Sequence, residues 1–281
     1  MCAMRKFFTF LMGALIALIF VSESVAQIRR GHDKVVELTT QEASEMWSKF
    51  KSTTIAGDYT MGFTITHSPR RGENVEYVGE IFGTRRGDEV LTRIRVKKVE
   101  PKNFPVSDFI LSNSPKGGVV WKAQGDKFVE VPKSDWFKPL VDGLIYSPFD
   151  LLMPYVNWKY VYVGGGRIGQ AVYFFDLIPP TKEIAQEVSR VRIAITREFN
   201  SPTQTDIFNK EGELIKTVSL GSVKKFDGLW IVRQMFARNE KSRDKDKLEF
   251  RAGAVKTIID STVFDPTKKP TEPPRLELKK L

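Results

Sequence analysis

The chain is 281 residues long, with 44 Lys and Arg against 34 Asp and Glu, a formal net charge of +10 and a single cysteine. That length fits one large all-β domain or two smaller ones, and the cation excess creates a field that draws anionic surfaces or acidic partners. The one cysteine is Cys2, ahead of the first apolar run, so the chain beyond it has no disulfide framework and no thiol nucleophile.

Arg5 and Lys6 precede an apolar run from Phe7 to Val21, and Ser24-Val25-Ala26 supplies small residues at signal-peptidase positions. The run is shorter than the roughly 20 residues that a membrane-spanning helix needs. These features predict a signal peptide over residues 1–26, cleaved before Gln27, and a periplasmic location. Residues 27–38 read as a tether. Thr39 or Thr40 can then cap a helix that carries Ala43, Met46, Trp47 and Phe50 at helical spacing and stops near Gly57.

From Asp58 the period becomes two, with Tyr59, Met61, Phe63 and Ile65 on one face of a strand. Turns at Pro69-Arg70-Arg71-Gly72 and Arg85-Arg86-Gly87-Asp88 predict a three-stranded meander, with the second and third strands near 73–83 and 89–99. A hairpin follows, Gly117 to Trp121 pairing with Lys127 to Val131. Residues 133–155 differ: Pro139, Pro148 and Pro154 interrupt a stretch rich in Leu140, Leu144, Ile145, Phe149, Leu151, Leu152 and Met153. Such a segment inside a β protein covers a concave sheet face or plugs the core. Strands resume near 158–163, 171–178, 190–199, 204–209, 213–225, 229–239 and 246–257. The Pro- and Lys-rich residues 267–281 read as a flexible basic tail.

No motif carries catalysis. Gly164 to Gly169 spells a dinucleotide-loop pattern, but Ala171 to Phe175 reads as a strand where a helix must open, which makes the glycines a hairpin turn. His32 and His67 cannot supply a clustered zinc ligand set. Asp135, Asp142 and Asp150 are explained by helix capping and turns. The chain is therefore read as a non-enzyme with no catalytic residue, no metal site, no cofactor and no nucleic-acid partner.

Four stretches carry a resemblance: Gly57 to Phe63; Gly117 to Val131 with Trp121; Ser147 to Pro154; and Asp260 to Pro266. With the order of elements they resemble a divergent branch of the outer-membrane lipoprotein-sorting proteins, the LolA/LolB-like superfamily, over roughly residues 39–266. The resemblance implies a mainly β, single-domain, unclosed antiparallel half-barrel whose apolar concave face is covered by helices. It implies a monomeric periplasmic carrier that binds the acyl chains of lipoproteins or other lipids for sorting toward the outer membrane, and that meets a membrane-bound donor or acceptor protein. The other reading is an envelope sensor or protein-interaction module of the same fold. The expected cavity wall is Phe63, Ile65, Trp121, Leu144, Leu151, Leu152, Met153 and Trp158. Arg93 and Arg95, on one face of the third strand, are the candidates for locking the helical lid; a charge pointing into an apolar hollow needs a partner, so either that face is solvent-exposed, the favoured reading, or one of them bonds a lid carbonyl.

Overall fold

The computed structural model describes residues 35–52 and 57–281. The predicted signal peptide, its cleavage point before Gln27 and residues 27–34 of the tether lie outside that range.

Helix α1 (Thr40–Ser52) opens on a capping box. The Glu42 carboxylate accepts from the Thr39 amide at 2.8 Å, and the Thr39 hydroxyl accepts from the Glu42 amide at 3.2 Å. Strands β1 (Asp58–Ser68), β2 (Val75–Arg86), β3 (Glu89–Lys98), β4 (Ser107–Ser114), β5 (Gly117–Gln124) and β6 (Lys127–Glu130) form one antiparallel meander. The interrupted apolar segment contains the short helix α2 (Pro148–Leu152). Strands β7 (Lys159–Ile168) and β8 (Gln170–Ile178), then helix α3 (Lys182–Ala185), lead to β9 (Arg190–Thr196), β10 (Pro202–Phe208), β11 (Leu214–Phe226), β12 (Leu229–Asn239) and β13 (Lys245–Thr257), which complete a second meander.

The two meanders join through β1 and β13, in the order β6-β5-β4-β3-β2-β1-β13-β12-β11-β10-β9-β8-β7. β6 and β7 stand at opposite ends of this path and do not pair, so the sheet is an unclosed half-barrel. Its curl needs room on the inner side. Gly79 lies opposite Phe63, and Gly83 opposite Tyr59, so each aromatic ring occupies the space that a Cβ on the facing residue would fill.

Register assigns every side chain to a face. Met61, Ile81, Ile94 and Phe109 align across β1 to β4 within the large inner core. Thr60, Phe82, Arg93, Ile110 and Trp121 align on the other, convex face.

Three details differ from the sequence reading. Gly164 to Gly166 belong to β7, and the turn into β8 is made at Gly169, whose φ of +69° suits glycine. Strand β4 arises where the pattern past Pro101 gave no signal. Residues 267–281, read as a flexible tail, are docked: the chain runs as a strap over the convex face and ends in β14 (Lys279–Lys280), which pairs with β13 through Ala252 and Gly253. Ile259, Val263 and Phe264 pack there on Phe82 and Leu91 with Leu276 beside them, and Leu281 is buried against the inner core. Prolines hid this segment because they mark absent regular structure, which a bound strap also lacks.

Candidate functional site: a covered apolar hollow

The inner face of the half-barrel is lined by Tyr59, Met61, Phe63 and Ile65 of β1, Tyr77 and Ile81 of β2, Phe175 of β8 and Ile193 of β9, all buried. Helix α1 closes the β7 and β8 end, where Trp47 packs on Tyr160 and Phe175 with ring centroids 5.1 and 5.3 Å apart. The interrupted segment, residues 140–158, covers the rest. Leu140, Val141, Leu144, Tyr146, Phe149, Leu151, Leu152, Met153, Tyr155 and Trp158 are all buried in the same continuous core. Phe149 sits at its centre, stacked at 4.4 Å on Phe137 and within 6.0 Å of Trp158. The cover leaves a cavity of about 40 Å³ between α2 and β10 to β12, bordered by Asp150, Met153, Tyr155, Thr205, Val218 and Met235.

Few polar groups tie the cover to the sheet. Asp246, on the inner face of β13 and fully buried, accepts from the Ile145 amide at 2.6 Å and the Tyr146 amide at 3.2 Å. Its other oxygen lies 2.7 Å from His67 Nδ1 on the neighbouring strand. Burial pushes the Asp246 carboxyl above the usual carboxylate range, while His67 and the two amides oppose that shift. The Tyr77 hydroxyl donates to the Asp142 carbonyl at 2.9 Å, and the Asn113 amide to the carbonyls of Leu152 and Met153 at 2.8 and 3.1 Å. Lys216 of β11 donates to Asp150 of α2 at 2.8 Å.

That same Asp150 carboxylate accepts from the amide and hydroxyl of Ser147, both at 2.8 Å, and so caps α2. Met153 ends the helix in the left-handed region at φ 47° and ψ 51°, an uncommon setting for a non-glycine residue, and Pro154 follows it. Tyr146 is fully buried with an unpartnered hydroxyl, and its phenol is pushed well above its ordinary value by burial and by the Asp246 and Asp150 charges.

Of the residues read as a cavity wall, Phe63, Ile65, Leu144, Leu151, Leu152, Met153 and Trp158 meet in the inner core. Trp121 does not. It pairs with Ile110 in the convex row, because the alternation of β5 turns Val120 inward instead.

Arg93 and Arg95 are also on the convex face, away from the cover. Arg93 is buried, donates to both oxygens of Asp108 at 3.0 and 2.6 Å, and binds the Val263 and Thr271 carbonyls at 3.2 and 2.7 Å. Arg95 pairs with Glu80 at 2.6 Å and reaches Glu272 at 3.3 Å. These arginines fasten the strap and do not touch the cover. The cover's fastenings Asp246, His67, Asn113 and Lys216 were missed as such. A sequence signal existed for one of them: Asp246 falls at an inward position between charged neighbours on a strand whose other inward residues are apolar.

Among the described residues no three His, Cys, Asp or Glu side chains converge as a metal-ligating group, and no helix is long and apolar enough to cross a membrane.

An unclosed antiparallel half-barrel with a covered apolar hollow is the fold of LolA-like lipoprotein-sorting domains, and comparison with solved structures bears this out. A domain from Vibrio parahaemolyticus assigned to outer membrane lipoprotein sorting aligns with a TM-score of 0.65 at 14% identity, over 79% of this chain and 94% of that one. A DUF1329 family protein from Desulfovibrio piger aligns with a TM-score of 0.68 at 14% identity, over 80% and 96%. A LolA superfamily protein from Nitrosomonas europaea gives 0.59 at 12% identity, over 79% and 97%. A family model described as "Uncharacterized protein" matches residues 154–268. No curated protein matches in sequence.

Proposed function

We propose that this chain is a periplasmic carrier that takes the acyl chains of lipoproteins or related lipids into the hollow beneath residues 140–158 and delivers them toward the outer membrane. The observation that carries the reading is the cover itself. It is an irregular apolar segment, not part of the sheet, that fills a concave face and is held to it by a handful of polar contacts.

Magnitudes say how much of it moves. Fully burying a large apolar side chain is worth about 1.5–3 kcal/mol, so the large apolar side chains of the cover, Ile145 included, together hold it by on the order of 20 kcal/mol. An acyl chain of about 16 carbons gains roughly 12 kcal/mol at 0.8 kcal/mol per methylene. One chain therefore cannot replace the whole cover. It can replace α2, whose Phe149, Leu151 and Leu152 represent about 5–9 kcal/mol. In this reading α2 swings between its cap at Ser147 and the left-handed Met153 while the flanking segments stay in place.

The test is to purify the chain from an envelope fraction without detergent, then apply native mass spectrometry, lipid extraction and titration with a fluorescent fatty acid. Co-purified acylated material and saturable probe binding are expected. A clean apo mass together with no probe binding overturns the proposal.

A further inference from the structure

Lys216 is a cation on an inner wall that also carries the buried Asp246 and is apolar over much of its remaining area. Register carries it from Asn239 of β12 across to Ile207 of β10, and on through Val191 of β9 to Leu177 of β8, the last three all buried. Its side chain is only 14% exposed, and its ion pair is with Asp150, whose side chain is 1% exposed. Its further contact, the Ser147 hydroxyl at 3.4 Å, comes from the same segment. The partners that satisfy this ammonium therefore belong to the cover. Among the described residues the other Asp150 oxygen has no hydrogen-bond partner, so the pair is an imperfect match on the carboxylate side.

Burying an ammonium without a counter-charge is costly. When α2 leaves the hollow it takes Asp150 with it, and Lys216 must find another anion or water beside the apolar wall. We propose that Lys216 is the head-group anchor of the hollow: it binds the carboxylate or phosphate monoester of an amphiphile, and Asp150 holds that place while the hollow is closed. This rests on the carrier reading and adds a ligand class to it, an acyl chain with an anionic head. The geometry suits such a ligand, because Asp150, the partner of Lys216, also borders the cavity of about 40 Å³ whose other walls include Val218, Leu220, Val232 and Met235.

The test compares hexadecanoate with hexadecan-1-ol, equal in chain length and different in charge, by displacement of a neutral fluorescent probe. The expected result is tighter binding of hexadecanoate, by about tenfold, as a charge-assisted hydrogen bond allows. The double variant Lys216→Gln with Asp150→Asn removes both charges and leaves no buried carboxylate alone. It is expected to equalise the two ligands, while Lys216→Arg retains the preference. Inorganic phosphate at millimolar concentration is expected to displace neither. Equal affinities in the unaltered protein, or a preference that survives the double variant, overturn the anchor and leave the carrier intact. Displacement of hexadecanoate by phosphate alone, with hexadecan-1-ol unaffected, assigns the site to free anions and also overturns it. Binding of neither amphiphile overturns both readings.

Discussion

Asp246 offers the most direct test of how the cover is held. Replacing it with alanine removes the acceptor for the Ile145 and Tyr146 amides and strands both beneath the cover. Hydrogen bonds to a charged group are worth about 1.5–3 kcal/mol each, so losing two weakens the closed state by at least about 3 kcal/mol. Asparagine keeps a carbonyl oxygen for the two amides and no longer buries a charge. Because asparagine keeps the acceptor and burial disfavours the Asp246 charge, Asp246→Asn should destabilise the closed state far less than Asp246→Ala does. Hydrogen exchange reads the difference locally. Amides of residues 145–153 should exchange roughly a hundredfold faster in Asp246→Ala, while those of Met61 and Phe63 in β1 change little. Equal acceleration in cover and sheet would show that the cover opens only when the whole domain unfolds, and the reasoning above would be wrong.

Gly79→Ala should destabilise the fold by about 1–3 kcal/mol, read by denaturant titration, because a Cβ there meets the Phe63 ring and the Arg95 carbonyl. Arg93→Met should cost about 3 kcal/mol, since it removes the bidentate partner of the buried Asp108 carboxylate, leaving only Arg95 Nε at 3.5 Å, and frees the Val263 and Thr271 carbonyls; proteolysis of residues 267–281 should become rapid in the same variant. Glu249, on the convex side of β13, is subject to burial that would raise its carboxyl, yet Lys247, Gln234 and Arg251 hold it below the usual range. A lowered carboxyl adds stability above its unfolded value and loses it as pH falls. Thermal midpoints should therefore drop between pH 6 and pH 3 by less in Glu249→Gln than in the parent.

The strands were legible because one face of each is buried, and alternation at Tyr59, Met61, Phe63 and Ile65 reports that directly. The segment over the inner face was legible as an apolar stretch broken by prolines, and Leu144, Leu151, Leu152, Met153 and Trp158 are buried in the inner core. Facing was harder. Trp121, expected in the cavity wall, is sent outward by the register of β5 through Ile110. Arg93 and Arg95 share a face, as their spacing predicts, but that face is neither solvent-exposed at Arg93 nor bonded to the cover. Their carboxylate partners, Asp108 and Glu80, are on the adjacent strands β4 and β2, while the carbonyls of Val263 and Thr271 and the Glu272 carboxylate come from a segment nearly two hundred residues away, which nothing local to β3 encodes. His67 and Asp246 meet for the same reason: 179 positions separate them, and only the closure of β1 on β13 brings them within 2.7 Å.

The two faces of the half-barrel are fastened by different chemistry, and the contrast bears on which of them moves. On the convex face a buried guanidinium and carboxylate pair clamps the strap through two carbonyls, so removing the strap leaves Arg93 and Asp108 facing water with part of their hydrogen bonding lost. On the concave face the groups that stay with the sheet are Asp246, which retains His67, and Lys216, which among the described residues retains no ion pair. Opening the cover therefore leaves one carboxylate already paired and one ammonium in need of an anion. A ligand that supplies both an acyl chain and an anion replaces what α2 removes, the apolar contacts by its chain and Asp150 by its head. Neither part alone does so: a neutral chain leaves Lys216 unpaired, and a free anion leaves the apolar wall exposed. An anionic amphiphile is thus the ligand whose chemistry matches the one lost by opening the hollow at α2.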